Sequence, residues 1–194
     1  MQTELNLLIV GLSWGLYYFL HSFLASTRCK AWGRSRIGQR KYRLLYNLWS
    51  GLGLIGLLWG LARLGHLALW PDFLVVQILG LMSLAAGLTL GYRAIKAYDL
   101  GEFSGLGQST EEDTPLVIDG LNAYIRHPLY SAIMLIAFGI GFLWPWDTLW
   151  VTIGLTVIYV FWGSELEEKK LIKRYGTAYL EYRKSVSRFV PKLL

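Results

Sequence analysis

Five long apolar runs decide what this chain can be. Residues 5–25, 44–62, 73–92, 129–146 and 148–164 contain no lysine, arginine, aspartate or glutamate, and His21 is the one histidine among them. Each run approaches the ~20 residues that carry a helix across a ~30 Å hydrocarbon layer. Only 16% of residues are charged, where an ordinary soluble domain carries about a quarter. The expected fold is therefore all-α: a polytopic membrane helix bundle of about five transmembrane helices. A β-barrel would need short alternating segments with polar lumen positions, and continuous apolar runs exclude it. They also exclude a soluble nucleic-acid binder, despite a net charge of +6.

The placement of that charge sets the topology. Seven basic residues (Arg28, Lys30, Arg34, Arg36, Arg40, Lys41 and Arg43) lie between the first two runs with no acidic residue among them. The positive-inside bias makes that loop cytoplasmic and puts the N-terminus outside. Counting forward, residues 93–128 and the tail from Glu165 face the cytoplasm, and the Pro145–Asp147 turn faces outward. The tail's own basic residues, from Lys169 to Lys192, agree with this assignment. The expected location is a bacterial inner membrane, among membrane lipids. The first run has no positively charged lead and exceeds a typical signal core, so it reads as a span. Cys29 has no second cysteine to pair with and suggests no redox role.

The chain reads as one integral membrane domain over residues 1–194. Three cytoplasmic stretches, residues 26–43, 93–128 and 165–194, are long enough to hold chemistry outside the bilayer. Gly56 with Gly60 and Gly87 with Gly91 stand at the four-residue spacing that lets helices pack closely. Pro145, Trp146 and Asp147 alone join the last two runs, which predicts a tight hairpin. In the tail, Leu171, Tyr175, Tyr179, Tyr182 and Val186 fall on one helical stripe, the pattern of an amphipathic helix lying on the membrane or the bundle. Glu168 continues that stripe one turn upstream, and a carboxylate facing a bundle needs a partner.

The sharpest local motif runs from Tyr124 through Ile125, Arg126, His127, Pro128 and Leu129 to Tyr130. Proline starts a helix without losing a bond, and Arg126 and His127 then sit beside that helix's unpaired amide donors. Such a mouth suits a polar ligand. The plainer reading makes Arg126 a positive-inside anchor and Tyr130 an interfacial aromatic. His21, near the end of the first run, either bonds to a neighbouring helix or lines a substrate chamber. Gly101, Gly105, Gly107 and Gly120 suggest a nucleotide loop only superficially, because no strand precedes them. Glu111, Glu112 and Asp113 read as a solvated turn, and no metal site is expected.

Residues 116–120 (Leu-Val-Ile-Asp-Gly), Tyr124 through Tyr130, and then Glu167, Glu168, Leu171, Tyr175, Gly176, Tyr179, Tyr182, Val186, Arg188 and Pro191 resemble the isoprenylcysteine carboxyl methyltransferase superfamily. His21, Ser22, Ala25 and Ser26, with Tyr42, Arg43, Leu44, Tyr46 and Asn47 and with Gly105, Leu106 and Gln108, look like its NnrU-type branch, which includes methanethiol S-methyltransferases. Two positions depart from the superfamily pattern: Asn122 stands for a usual tyrosine and Ala132 for a usual glycine. The resemblance implies S-adenosylmethionine as cofactor, contacted by Tyr124, Arg126, His127, Pro128, Tyr130, Glu167 and Glu168, with Tyr182 and Arg188 completing the wall. His127, Glu168, Arg126 and His21 are the expected catalytic residues.

Methyl transfer from a sulfonium needs alignment above all. Carboxylates and tyrosine faces can hold the cation, and Arg126 has the fork for a methionyl carboxylate. A thiol acceptor reacts as its thiolate, and His127 or His21 would take the proton. The expected acceptor is a small or lipophilic molecule, foremost a thiol. The alternatives are an isoprenylcysteine carboxylate, an isoprenoid or phospholipid amine, and a non-catalytic NnrU-like binding protein.

Overall fold

A computed structural model describes residues 1–97 and 115–192. Gly101, Gly105, Gly107 and the run Glu111, Glu112 and Asp113 lie outside the described residues. The helices are α1 (Gln2–Ala25), α2 (Thr27–Ile37), α3 (Gln39–Arg63), α4 (Leu74–Ala97), α5 (Pro128–Leu143), α6 (Asp147–Tyr175) and α7 (Thr177–Ser185), with a 3-10 turn at Gly120–Ala123. Helices α1, α3, α4 and α6 are long and apolar enough to cross a membrane, and α5 is a shorter apolar helix. In the apolar windows of α1, α3 and α4 the protein buries only 11%, 6% and 17% of residues. These faces require hydrocarbon, since apolar surface on this scale does not stand in water.

The described residues fall into two packed units, one of residues 1–71 and 145–155, the other of 72–97, 115–144 and 156–192. In the first, the basic segment expected as a loop is mostly helix α2. Ser26 leaves the helical conformation and its hydroxyl accepts from the Cys29 amide at 3.3 Å, an N-cap that satisfies one orphan donor. Gly38, at φ +82°, turns the chain into α3 in a conformation that favours glycine. The Tyr42 ring lies so close over Gly33 that a Cβ there would stand 2.1 Å from it. Its hydroxyl donates to the Leu24 carbonyl at 2.8 Å, so one side chain ties α1, α2 and α3 together.

The far end of this unit is pinned by Asp147. Its carboxylate accepts from the amides of Leu67 and Thr148 at 3.0 and 2.7 Å, and its own amide donates to the Leu67 carbonyl. His66 stacks on Trp146 with ring centres 3.7 Å apart. Gly56 and Gly60 do not pack a helix, contrary to their spacing: a Cβ on either meets nothing within 4 Å, and both line a cavity of about 220 Å³.

In the second unit, α4 and α5 meet backbone to backbone. A Cβ on Gly87 would lie 2.8 Å from Ile136, and one on Gly139 would lie 2.7 Å from the Leu84 nitrogen. Ser83 adds a bond to the Leu135 carbonyl at 2.8 Å. This is small-residue packing, and Gly80 and Gly139 carry it as much as Gly87. Helix α5 ends at Leu143, so it is shorter than the expected run to residue 146. Helix α6 is longer than expected: its 29 residues continue past the apolar run to Tyr175. The tail is therefore not one amphipathic helix. Gly176, at φ +58°, breaks it, and the tyrosine stripe passes from α6 to α7 across the break.

Candidate functional site

The site is assembled in the second unit where α5 begins. Pro128 is the first residue of α5 and His127 its N-cap. Residues 125–127, just before Pro128, pair with the tail. The Arg126 amide donates to the Ser187 carbonyl at 2.9 Å and the His127 amide to the Arg188 carbonyl at 3.1 Å. The Ser131 hydroxyl donates to the Phe189 carbonyl at 2.6 Å, and the Tyr182 hydroxyl to the Asn122 carbonyl at 2.6 Å. Asn122, one of the two departures from the superfamily pattern, thus contributes its backbone here.

At the centre stands Glu168, whose side chain has no exposed surface. One carboxylate oxygen accepts from Arg126 Nε and Nη2 at 3.0 and 2.8 Å and lies 3.2 Å from His127 Nε2. The other accepts from Arg188 Nη2 at 3.2 Å and pairs with Arg183 Nε at 3.2 Å. Three guanidinium groups converge on one carboxylate. A buried charge is tolerated only with such pairing, so the partner that the sequence demands for Glu168 is supplied several times over.

The flanking carboxylates differ in their engagement. Glu165 pairs with Arg188 at 2.7 Å. Glu167 is about half exposed, lies 3.7 Å from His127 Nδ1, and has no arginine partner among the described residues. Arg126 is only 7% exposed, and its remaining nitrogen bonds to the carbonyls of Arg183 and Val186. Its fork is fully occupied. Arg188 and Arg183 retain 22% and 38% exposure.

His127 is buried, and its ring stacks on Tyr130 with centres 5.4 Å apart. Burial pushes its pKa below the usual 6.5, against the opposing pull of Glu167 and Glu168. The imidazole is therefore neutral near neutral pH. Tyr179 is fully buried, and its hydroxyl has no hydrogen-bond partner among the described residues. Burial, reinforced by the negative charge of Glu168, raises that phenol to about 12. Tyr124 is exposed at the rim.

The structure thus gathers Arg126, His127, Pro128, Tyr130, Glu167, Glu168, Tyr182 and Arg188 into one locus. His21 lies in the other unit, where its ring nitrogen is 2.9 Å from the Tyr46 hydroxyl. The sequence reading missed Arg183, Glu165 and Tyr179. The signal for Glu165 was its position one turn before Glu168 on the same helix face. Arg183 and Tyr179 were visible only as part of the tail's basic count and tyrosine stripe. No group of three or more metal-ligating side chains occurs among the described residues.

A family model described as NnrU protein matches residues 7–139, a range that includes the motif at the α5 mouth and stops short of the glutamate pair. Methanethiol S-methyltransferase of Crocosphaera subtropica is 30% identical over 95% of this chain and 74% of its own length. Methanethiol S-methyltransferase 1 of Bradyrhizobium diazoefficiens is 28% identical over 96% of this chain and 66% of its own. The enzyme of the same name from Pseudomonas deceptionensis is 28% identical over 97% and 74%. No solved structure matches.

Proposed function

Because the chain belongs to the NnrU protein family, we propose that it is an S-adenosylmethionine-dependent membrane methyltransferase that methylates a small alkyl thiol, with the α5 mouth as its donor site on the cytoplasmic face. The carrying observation is the charge-paired cluster around Glu168, read together with near full-length likeness to proteins named for thiol methylation.

The donor set fits the proposed cofactor. S-adenosylmethionine presents a sulfonium and an ammonium to be met by anions or ring faces, and a carboxylate to be met by an arginine. Glu167, half exposed and without an arginine partner among the described residues, would hold the cationic end, flanked by Tyr124 and Tyr130. Arg188 and Arg183 have exposed surface to offer the carboxylate, whereas Arg126 would have to surrender a bond it already makes. The buried Tyr179 hydroxyl offers a further donor. When bound, the group supplies an electrophilic methyl. A thiolate sulfur would bond to that methyl as the methyl–sulfonium bond breaks, and the donor would leave as a neutral thioether.

His127 would take the thiol proton. With Nε2–H donated to Glu168, the neutral ring presents Nδ1 as the acceptor, the division of labour typical of an oriented histidine.

Calorimetric titration of S-adenosylmethionine into the detergent-purified protein tests the donor site. Saturable binding is expected, weakened at least tenfold by Glu167→Gln and little affected by His127→Ala. The latter variant is expected to lose thioether formation from methanethiol, measured in the headspace. Folded protein in lipid nanodiscs that binds no donor would overturn the proposal in favour of a non-catalytic binding protein.

A further inference from the structure

We infer that the corner between α2 and α3 is a binding site for an anionic phospholipid, independent of the methyl-transfer site. Leu24, Trp32, Ile37, Leu45 and Trp49 wall a cavity of about 280 Å³ in the first unit, and Arg36 lines it beside them. The cavity is large enough for several methylenes of an acyl chain, and its lining is almost wholly apolar. It lies where the apolar helices α1 and α3 end and the basic helix α2 joins them, which is headgroup depth for a spanning pair.

Two observations separate this cavity from ordinary lipid-facing surface. First, its walls are built before any ligand arrives. Tyr42 is fixed over Gly33, which has no room for a side chain, and is tied to the Leu24 carbonyl. Second, its rim is cationic. The Arg36 guanidinium lies 5.9 Å from the Trp32 ring centre, exposed and with the planar fork that suits a phosphate. Arg28, Arg40 and Lys41, also exposed, stand on the same two helices. Its apolar side chains are as open to lipid as the rest of the helix surface, Trp32 being 65% and Leu45 56% exposed. An apolar slot with a cationic lip matches one amphiphile, a phospholipid of net negative charge, whose chain would enter the slot and whose phosphate would meet Arg36. Basic pockets beside membrane helices bind anionic headgroups by this logic.

Native mass spectrometry of the full chain, released from micelles carrying phosphatidylglycerol or phosphatidylcholine, tests the inference. The wild type is expected to keep phosphatidylglycerol at least ~10-fold more tightly. Each basic side chain near an anionic headgroup is worth about fivefold, so Arg36→Gln with Arg40→Gln should weaken the adduct roughly 25-fold. Leu45→Trp, which fills the slot, should weaken both lipids, and Lys169→Gln with Lys170→Gln, two exposed positions on α6, should change neither. Thermal melting of each variant confirms folding, and Trp32→Ala replaces Leu45→Trp if that variant does not fold. Equal retention of the two lipids, or equal loss from the α6 variant, would overturn the site. So would slot variants that spare phosphatidylglycerol and instead raise KM for a thiol, since the slot would then be an acceptor passage. The lipid readout needs neither donor nor turnover, so this result and failure of the methyltransferase proposal are distinguishable.

Discussion

Replacing Glu168 with glutamine removes one charge and almost no volume, so its effect isolates the electrostatics of the cluster. The carboxylate is without exposed surface and is shared by Arg126, Arg183 and Arg188. Water and Glu165 can take up part of what Arg183 and Arg188 lose, because both are partly exposed and Arg188 already pairs with Glu165. Arg126 cannot recover: it is 7% exposed and has no second carboxylate among the described residues. Breaking one buried pair by removing a partner costs about 3–5 kcal/mol. The lower end applies, since the carbonyls of Arg183 and Val186 still receive Arg126. A loss of ~3 kcal/mol in a chain of this size corresponds to a fall of roughly 6–12 °C in melting temperature. Glu167→Gln is the comparison. Its side chain is 47% exposed and 3.7 Å from His127, so the change should cost under about 1 kcal/mol while weakening donor binding. Intrinsic tryptophan fluorescence during heating in detergent reads both. If Glu168→Gln melts with the wild type, or Glu167→Gln falls as far, the assignment of Glu168 as the buried keystone is wrong.

Gly139→Ala should destabilise by about 1–3 kcal/mol, because the new methyl meets backbone atoms of Leu84 and Gly80 that cannot step aside. Gly56→Ala should instead be neutral or gain up to about 1 kcal/mol, its methyl meeting nothing while glycine's helix penalty is removed; parallel thermal melts check both. His127 has a pKa below 6.5 in the folded protein, so the unfolded imidazole binds a proton first as pH falls. Its contribution to stability is complete above 6.5 and is lost as pH drops from there toward the folded value. His127→Gln should flatten that part of the melting-versus-pH curve, and thiol turnover should hold at 6.5 and fall only below it; a midpoint above 6.5 contradicts both. Asp147→Ala should cost about 1–2 kcal/mol by freeing the amides of Leu67 and Thr148, seen as a lower melt and faster proteolysis at residues 64–70.

Apolar length and missing charge are enough to read the spanning helices, and Pro128 marks where α5 begins. What escapes the pattern is decided by single residues and by partners distant in sequence. Residues 26–43 look like a loop because they are charged, but a Ser26 cap and the absence of proline make most of them helix. The tyrosine stripe keeps helical period through Gly176, so period cannot report a break that depends on a positive φ. Four-residue glycine spacing says that one side of a helix is smooth. It does not say what lies against that side, and so Gly56 and Gly60 face a cavity while Gly80 and Gly139 make the close approach. The need of Glu168 for a partner was legible. The identity of Arg183 was not, because it returns to that carboxylate only after the chain has turned at Gly176.

The length of α6 explains why the cluster can exist at all. At 1.5 Å per residue its 29 residues extend about 43 Å, well beyond a ~30 Å hydrocarbon layer. The last turns therefore carry Glu165, Glu167 and Glu168 out of the apolar region on a rigid span. The bend at Gly176 then lets α7 and the following segment bring Arg183 and Arg188 back to meet them, while the backbone bonds at Arg126 and His127 close the α5 side. The resulting charges balance: three arginines against three glutamates, with His127 neutral. The donor proposed above, bearing a sulfonium, an ammonium and a carboxylate, would add one net positive charge, and the cluster would have to meet it without disturbing the buried pairs. Glu168 and Glu165 are already committed to arginines. On the function proposed above, Glu167 is the carboxylate left to answer the cation, so the half-exposed member of the pair would bind and the buried member builds.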